Sequence, residues 1–351
     1  PGIIIDCLSN FKTSNSEEKD ILKKILKDFS NKDFSLLSSQ EKSFLSTHPI
    51  EQWPEYLIFR YKFLNYPNQK IVSNFPIYLL IEPVSSCNLR CTMCFQIDDS
   101  FSKSNEYMGI IELDLFKKII DEAEKSGTKA ITLASRGEPT LHPHLDKMLE
   151  YCKNKFLELK LNTNAIKLNE KLCHTILKSN VTDIVFSVDS YEKKSYESIR
   201  VGGNFEILLK NIKKFHEIRD NFYPNSKCAT RISGVKVDQK MNSNEFKKFW
   251  QKIVDHVAMV DLQYRWDTYH NPTSVASNDP CRYLWERMYI WYDGTANPCD
   301  TDYKSELSTG SIKNNTISEI WNGDKYASLR NSHTGGERSK CYPCDRCPNG
   351  S

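Results

Sequence analysis

The stretch CNLRCTMCFQ (residues 87–96) places Cys87, Cys91 and Cys94 within eight residues of one another. Their spacing, C-x3-C-x2-C, supplies three thiolates, one fewer than a closed tetrahedral metal site requires. Three thiolates can instead hold three irons of a four-iron–four-sulfur cluster and leave the fourth iron open to an external ligand. A zinc knuckle is the alternative, but it needs a fourth ligand nearby, and His142 is far away in the sequence.

The cysteine motif follows the first of six short apolar runs, which alternate with amphipathic helical patterns. The runs occupy residues 76–83, 129–135, 157–164, 182–189, 229–237 and 257–265. Repeated strand–helix units with nearly continuous apolar strands predict a parallel sheet that is covered on both faces. We therefore predict an α/β fold, a partial (β/α)6 TIM-like barrel, whose chemistry lies at the C-terminal ends of the strands.

The segments on either side of the predicted barrel have a different character. Residues 1–75 show helical apolar spacing, with Ser14 and Glu17 as a candidate capping box, and predict a helical N-terminal extension. We assign the barrel to residues 76–270. After residue 270 the strand–helix alternation ends, core patterns are sparse, and we predict a small cysteine-rich iron–sulfur domain over residues 271–351.

The composition of the 351-residue chain argues against some classes of function and favours others. A formal net charge of +3 is too small for a nucleic-acid footprint, and no apolar run reaches the ~18 residues that a membrane span needs. Without a signal segment, a cytoplasmic location is the default expectation. Eight of the 12 cysteines fall in two regions, which favours metal ligation over disulfides.

The motif at Cys87, Cys91 and Cys94, directly after the first strand, resembles the hallmark of the radical S-adenosylmethionine (SAM) superfamily. The resemblance implies that the open iron binds the methionine part of SAM and that SAM is cleaved to a 5′-deoxyadenosyl radical. It also implies an external electron donor such as flavodoxin or ferredoxin. One departure is Met93, which stands where the family usually has an aromatic residue.

Further residues fall where the resemblance requires SAM contacts. Gly137–Pro139 matches the family's GEP loop, Asn164, Ser187 and Asp189 end two strands, and Arg200 resembles the arginine that pairs with the cofactor carboxylate. Turn formation, helix capping and a solvated surface charge are the respective alternatives. The implied SAM-binding set is Phe95, Gly137, Glu138, Pro139, Asn164, Ser187, Asp189 and Arg200.

The C-terminal cysteines form a second constellation. Twelve residues separate Cys281 from Gly294, and four more separate Gly294 from Cys299, which resembles the signature of the SPASM/twitch subgroup. Five cysteines are enough for one auxiliary [4Fe-4S] cluster but not for two, which favours the shorter twitch form. We predict the ligands Cys281, Cys299, Cys344 and Cys347, with Cys341 as the alternate. Structural zinc would satisfy the same four thiolates.

The substrate is the least determined part of the sequence-based prediction. Polar residues on and after the last two predicted strands favour a small polar molecule such as a carbohydrate or nucleotide sugar: Arg231, Lys236, Arg265, Trp266, Asp267 and Tyr269. We expect dehydrogenation or epimerisation, with Arg231 as a base or substrate contact and Cys228 as a hydrogen donor. Cys152 and Cys173 are other spare thiols. A peptide-modifying maturase and a non-enzymatic electron carrier are the alternatives.

Overall fold

The computed structural model describes residues 2–238, 241–262, 268–270 and 277–347. The chain divides into two compact units, residues 1–73 and residues 74–351. Among the described residues, no helix combines the length and the apolar character that crossing a membrane requires.

The first unit is helical, as its apolar spacing predicts. It contains α1 (Gly2–Asn10), α2 (Ser16–Ser30), α3 (Ser39–Thr47) and α4 (Trp53–Gln69). The expected capping box at Ser14 is wrong: Asn15 caps α2, because its side chain accepts the N–H groups of Glu17 and Glu18. A capping box forms instead at the start of α3, between Ser38 and Glu41.

The second unit is built on one sheet with helices between its strands. The strands are β1 (Tyr78–Ile81), β2 (Arg90–Cys91), β3 (Ala130–Leu133), β4 (Glu158–Thr163), β5 (Asp183–Ser187), β6 (Arg200–Val201), β7 (Ala229–Lys236), β8 (His256–Asp261), β9 (Arg287–Ile290), β10 (Thr295–Asn297) and β11 (Gly310–Ser311). The helices are α5 (Asp99–Ser102), α6 (Leu113–Lys125), α7 (Leu145–Cys152), α8 (Glu170–Lys178), α9 (Lys193–Ile199), α10 (Phe205–Phe222), α11 (Ser243–Trp250), α12 (Tyr283–Glu286), α13 (Ile317–Trp321) and α14 (Asp324–Thr334).

The strand order of the main sheet is β11-β10-β9-β1-β3-β4-β5-β7-β8. The six predicted strands are all present as neighbours, and each pairs in parallel with the next. β3 is buried at every residue, and the helices cover the sheet with apolar faces such as that of α6, which buries Phe116, Ile119 and Ile120. The prediction of an α/β fold with a parallel sheet is confirmed.

The sheet extends beyond the predicted strands because β9 pairs in parallel with β1. β9 and β10 then form a hairpin that turns at Gly294, whose φ of +86° a residue with a side chain rarely adopts. The segment after residue 270, whose core patterns are sparse in the sequence, contributes the buried residues 288–290 and 296–297 to this sheet. Its strands are short and close together, so they do not repeat the strand–helix pattern of the barrel.

Candidate active site

One cavity of about 710 Å³ lies at the C-terminal ends of the parallel strands. Its walls include Tyr289 of β9 and Val260 of β8, which are six strands apart in the sheet order. In a flat sheet these strands would lie roughly 29 Å apart, at ~4.8 Å per neighbour. Their contact with one cavity shows that the sheet curves around it. The predicted site residues at its wall are Cys87, Cys91, Cys94, Phe95, Gly137, Glu138, Asn164, Ser187 and Arg200.

The three motif cysteines suit an open iron–sulfur cluster. All three line the same cavity, with Cys91 buried and the other two half-buried. Burial, together with the nearby Glu138 carboxylate, raises the pKa of Cys87 to about 12. Binding to iron keeps such a thiol ionised, because the metal's positive charge stabilises the thiolate. The donor set therefore fits a cluster with one open iron.

Gly137 allows the second motif to lie directly against the segment that leads into Cys87. A Cβ at Gly137 would lie 2.1 Å from the carbonyl oxygen of Val84, a distance that no side chain can occupy. The next residue, Glu138, donates its N–H to the carbonyl of Ser86 at 3.0 Å. The glycine is thus required by close backbone packing.

Glu138 organises the end of β4. Its buried carboxylate accepts the hydroxyls of Thr140 and Thr163, each at 2.6 Å, and the N–H of Asn164 at 2.7 Å. Burial raises its pKa, and these hydrogen bonds only partly oppose the shift. Asn164 in turn donates to the Asn88 side chain at 2.9 Å and lies 3.9 Å from the Cys87 Sγ. Pro139 is buried at the start of a short 3-10 helix and does not line the cavity.

Arg200 is buried, so the alternative of a solvated surface charge is wrong. Its guanidinium pairs with the buried Asp189 carboxylate at 2.7 Å and lies 3.7 Å from the Cys91 Sγ. Burial disfavours the charged guanidinium, but Asp189 and Cys91 outweigh it and raise the pKa of Arg200. Because β6 also pairs with β2, Arg200 faces Cys91 through both backbone and side chain. Asp189 itself accepts the N–H of Val235 at 2.8 Å and does not line the cavity.

Several cavity residues were missed by the sequence analysis. Gln96 directly follows Phe95, and its side chain donates to the carbonyls of Ser85 and Arg136 at 2.7 and 2.6 Å. Alternation from Arg231 along β7 would have pointed to Ser233 and Val235. The missed residues at the cavity wall include Gln96, Arg136, Ser233, Val235, Val260, Asp261, Tyr289 and Asp300.

Neither predicted catalytic residue lies at the cavity. Cys228 is buried just before β7 begins, and Val235, which does line the cavity, is seven residues and roughly 23 Å farther along the strand. Arg231 is exposed near the start of the same strand. The structure therefore does not support the hydrogen donor or the base assigned to these two residues.

The remaining sequence-based candidates lie elsewhere. Cys152 and Cys173 are buried in α7 and α8, and Lys236 does not line the cavity. The Tyr269 hydroxyl is buried and donates to Asp302 at 2.8 Å. The predicted contacts Arg265, Trp266 and Asp267 lie outside the described residues.

The C-terminal cysteines lie close enough to affect one another's ionisation. Burial raises the pKa of Cys281 to about 11, with Cys347 adding to the shift. Burial likewise raises the pKa of Cys299, with Cys344 and Cys347 adding to the shift, and it raises the pKa of Cys344, with Cys281, Cys347 and Cys341 adding to that shift. All five C-terminal thiols therefore take part in these interactions, and four thiolates are the donor set that one fully ligated cluster needs. The choice of Cys281, Cys299, Cys344 and Cys347, with Cys341 as the alternate, stays a prediction.

A buried arginine that the sequence analysis missed holds this cysteine tail. The Arg338 guanidinium donates to the carbonyls of Asp279, Cys344 and Cys347 at 2.6, 3.3 and 3.2 Å. It therefore joins the segment before Cys281 to the two last cysteines. The Cys281 N–H also donates to the His333 ring at 3.1 Å, which connects the same segment to α14.

Family comparisons agree with the two cysteine regions. Residues 81–237 match the radical SAM superfamily, and residues 281–348 match the SPASM iron–sulfur cluster-binding domain. The tungsten-containing aldehyde ferredoxin oxidoreductase cofactor-modifying protein of Pyrococcus furiosus is 35% identical over 113 residues, which cover 32% of this chain and only 30% of that protein. The cysteine-type anaerobic sulfatase-maturating enzyme of Clostridium novyi is 24% identical over 325 residues, 77% of this chain and 85% of that protein.

A solved structure shares the fold. SuiB from Streptococcus suis, bound to its precursor peptide SuiA, matches with a TM-score of 0.59 at 18% identity, covering 97% of this chain and 89% of SuiB. Together with the three cavity-lining cysteines, the two family matches identify residues 81–237 as a radical SAM domain, with SAM and a [4Fe-4S] cluster as cofactors, and residues 281–348 as a SPASM iron–sulfur cluster-binding domain.

Proposed function

We propose that this protein is a radical SAM oxidoreductase that dehydrogenates an alcohol carbon of a small polar, carbohydrate-like substrate. The observation that carries the proposal is that Asp300 lines the same cavity as Cys87, Cys91 and Cys94 and directly follows Cys299. A substrate in this cavity would therefore lie between the two cysteine regions.

The cavity residues account for the steps that the chain itself must perform. When bound, the cofactors supply abstraction of a hydrogen atom from carbon. Conversion of C–OH to C=O then requires loss of the hydroxyl proton and of one electron. We assign the proton to the Asp300 carboxylate, because Asp300 lines the cavity and directly follows Cys299, a predicted ligand of the electron-accepting cluster. The auxiliary cluster next to Asp300 is the proposed electron acceptor, and an external donor such as flavodoxin or ferredoxin supplies the initiating electron.

The positions of the cysteines favour dehydrogenation over epimerisation. An epimerase must return a hydrogen atom to the substrate, and a thiol beside the substrate is the donor that the sequence analysis considered. Within the described part of the cavity wall, the cysteines are those of the C-x3-C-x2-C motif. Cys152, Cys173 and Cys228 are buried elsewhere. Their positions offer the substrate no spare thiol.

A peptide substrate is the second candidate. The alignment with the sulfatase-maturating enzyme extends over 325 residues, including most of that protein, and so favours this class more than shorter matches do. A cysteine or serine side chain of a peptide carries a thiol or hydroxyl that the same two-electron oxidation would convert. The chemistry assigned to Asp300 is unchanged under this alternative.

The test is a product mass measurement. Reconstituted protein, reductant and SAM are incubated in deuterated water with nucleotide sugars, aminocyclitols, and short peptides containing Ser or Cys. Loss of two hydrogens from a sugar or cyclitol supports the proposal, and loss from peptides alone selects the second candidate. Gain of one non-exchangeable deuterium without net oxidation would contradict dehydrogenation.

An Asp300→Asn variant tests the proton acceptor. We expect 5′-deoxyadenosine formation to persist while oxidised product falls at least about tenfold, since the general base is removed. Asp261→Asn is the matched control, because Asp261 is an exposed carboxylate at the cavity wall that does not adjoin a cysteine. Equal product loss in both variants would contradict a specific role for Asp300.

A further inference from the structure

Tyr303 contacts both segments that carry the SAM-site motifs, although it lies only four residues after Cys299. Its ring stacks on Phe95, with centroids 4.9 Å apart and planes 18° from parallel. Its carbonyl accepts a hydrogen bond from the Arg136 guanidinium at 2.9 Å, and its hydroxyl donates to Asp98 at 2.8 Å. The ring and the hydroxyl of Tyr303 thus contact the chain after Cys94, and its carbonyl contacts the residue before Gly137.

The turn between Cys299 and Tyr303 is rigidly held. The buried Asn297 side chain donates to the carbonyls of Cys299 and Asp302 at 2.7 and 3.0 Å. The Asp302 carboxylate, also buried, accepts the N–H groups of Glu306 and Leu307 at 3.0 and 2.8 Å. These bonds connect the backbone at Cys299 to the residues on either side of Tyr303.

Lys304 makes a second set of contacts between the residues after Cys299 and the chain after Cys94. Lys304 pairs with Asp98 at 2.9 Å and donates to the Ser100 hydroxyl at 2.7 Å. Burial favours protonation of Asp98, but hydrogen bonds from Ser100, Lys304 and Tyr303 lower its pKa to about 2. The carboxylate is therefore ionised at neutral pH and holds the chain after Phe95 against residues 303–304.

On the other side of Tyr303, Arg136 is itself fully engaged. Its guanidinium makes two bonds to the buried Glu82 carboxylate, at 2.6 and 2.7 Å, and lies 4.2 Å from the centre of the Trp291 ring. The bond to the Tyr303 carbonyl completes this arrangement directly before Gly137. Since Gly137 packs without clearance on Val84, a shift of Arg136 is transmitted to the GEP loop.

We propose that Tyr303 is a positioning residue that couples the auxiliary cysteine loop to the SAM site, so that the arrangement around Cys299 sets how tightly SAM binds. The coupling acts through Phe95 and Arg136, which line the cavity and adjoin Cys94 and Gly137 in the chain. Small displacements of such support weaken a site, because its contacts depend on sub-ångström placement. The inference rests on the cofactor site and is independent of the substrate proposed above.

The experiment measures SAM binding to the holoenzyme without substrate. We expect Tyr303→Leu to weaken SAM binding about tenfold and to alter the change that SAM produces in the electron paramagnetic resonance spectrum of the reduced cluster. Tyr303→Phe, which keeps the ring stack and loses the bond to Asp98, should bind about threefold more weakly. The matched control is Tyr56→Leu, which removes another buried tyrosine stacked on a phenylalanine, in residues 1–73.

A double-mutant cycle separates coupling from general loss of structure. Cys299→Ala should weaken SAM binding in the wild-type background and have little further effect in Tyr303→Leu. Additive effects, or wild-type SAM binding by Tyr303→Leu, would overturn the proposal. If Tyr303→Leu does not retain iron, Tyr303→Phe decides: weaker SAM binding supports the coupling, and unchanged binding refutes it. Product formation enters none of these measurements, so failure here is distinct from failure of the proposed dehydrogenation.

Discussion

The two cysteine regions each bring several thiols together, but the segments of the chain that do so differ in length. Cys87, Cys91 and Cys94 lie on one short segment after β1 that includes β2, whereas the predicted auxiliary ligands span residues 281–347. In the first region local spacing already brings the thiols together. In the second, the chain passes through α12, the strands β9 to β11, and the helices α13 and α14 before the last cysteines return to Cys281 and Cys299.

The residues that hold each region differ in the same way. Arg200 faces Cys91 from β6, and Asn164 approaches Cys87 from the end of β4. In the C-terminal region Arg338 donates to backbone carbonyls around the cysteines. The comparison shows that the spacing of cysteines in the sequence predicts candidate ligands, whereas the groups that position those cysteines come from distant segments.

The largest expected effect is at the first region. Cys91→Ala should abolish formation of 5′-deoxyadenosine, because two thiolates cannot hold the three irons that an open cluster requires. Liquid chromatography of the reaction products checks this outcome. Cys152→Ala, which changes a buried cysteine of α7, should retain the activity. Cleavage of SAM by the Cys91→Ala variant would contradict the assignment of Cys87, Cys91 and Cys94 as cluster ligands.

The next effect separates the two regions by function. Cys299→Ala should lose about four irons per chain and reduce product at least about tenfold, while cleavage of SAM continues with weaker binding. Iron analysis and the ratio of 5′-deoxyadenosine to product measure the change. Retention of full iron would show that Cys299 is not a ligand, and unchanged product would remove the electron-acceptor role of the auxiliary cluster.

A smaller effect is expected from the residue that organises the second region. Arg338→Met leaves three carbonyls without their donor and should lower the free energy of unfolding by about 3 kcal/mol, with loss of iron from the C-terminal site. Thermal unfolding and iron content report the change. Lys340→Met is the control, since the exposed Lys340 pairs only with Glu337 among the bonds described. Equal stability of both variants would contradict the role of Arg338.

The smallest effect should come from the fifth cysteine. Cys341→Ala is expected to leave iron content and product unchanged, because four other thiols complete the auxiliary cluster. Cys344→Ala, three residues away, should lose the auxiliary iron. The same iron analysis compares the two variants. Iron loss by Cys341→Ala with retention by Cys344→Ala would exchange their assignments.

Part of the fold could be predicted from the sequence alone. The six parallel strands and the helical N-terminal unit follow from apolar periodicity, since each buried strand or helix face must show it locally. β9 was not predicted, because its four residues gain their place only by pairing with β1, more than 200 positions earlier in the chain. The capping residue of α2 also differed by one position, because Ser14 and Asn15 are both suited to that role.

The sequence by itself determined which residues have the chemistry for iron and SAM, because spacings such as C-x3-C-x2-C and Gly137-Glu138-Pro139 are local properties of the chain. Only the tertiary structure decided which polar residues reach the cavity. Asp300 lies at the cavity wall, whereas Cys228 and Arg231 do not. The physical reason is that a strand fixes the direction and height of each side chain, while the pairing of distant strands fixes which of them meet.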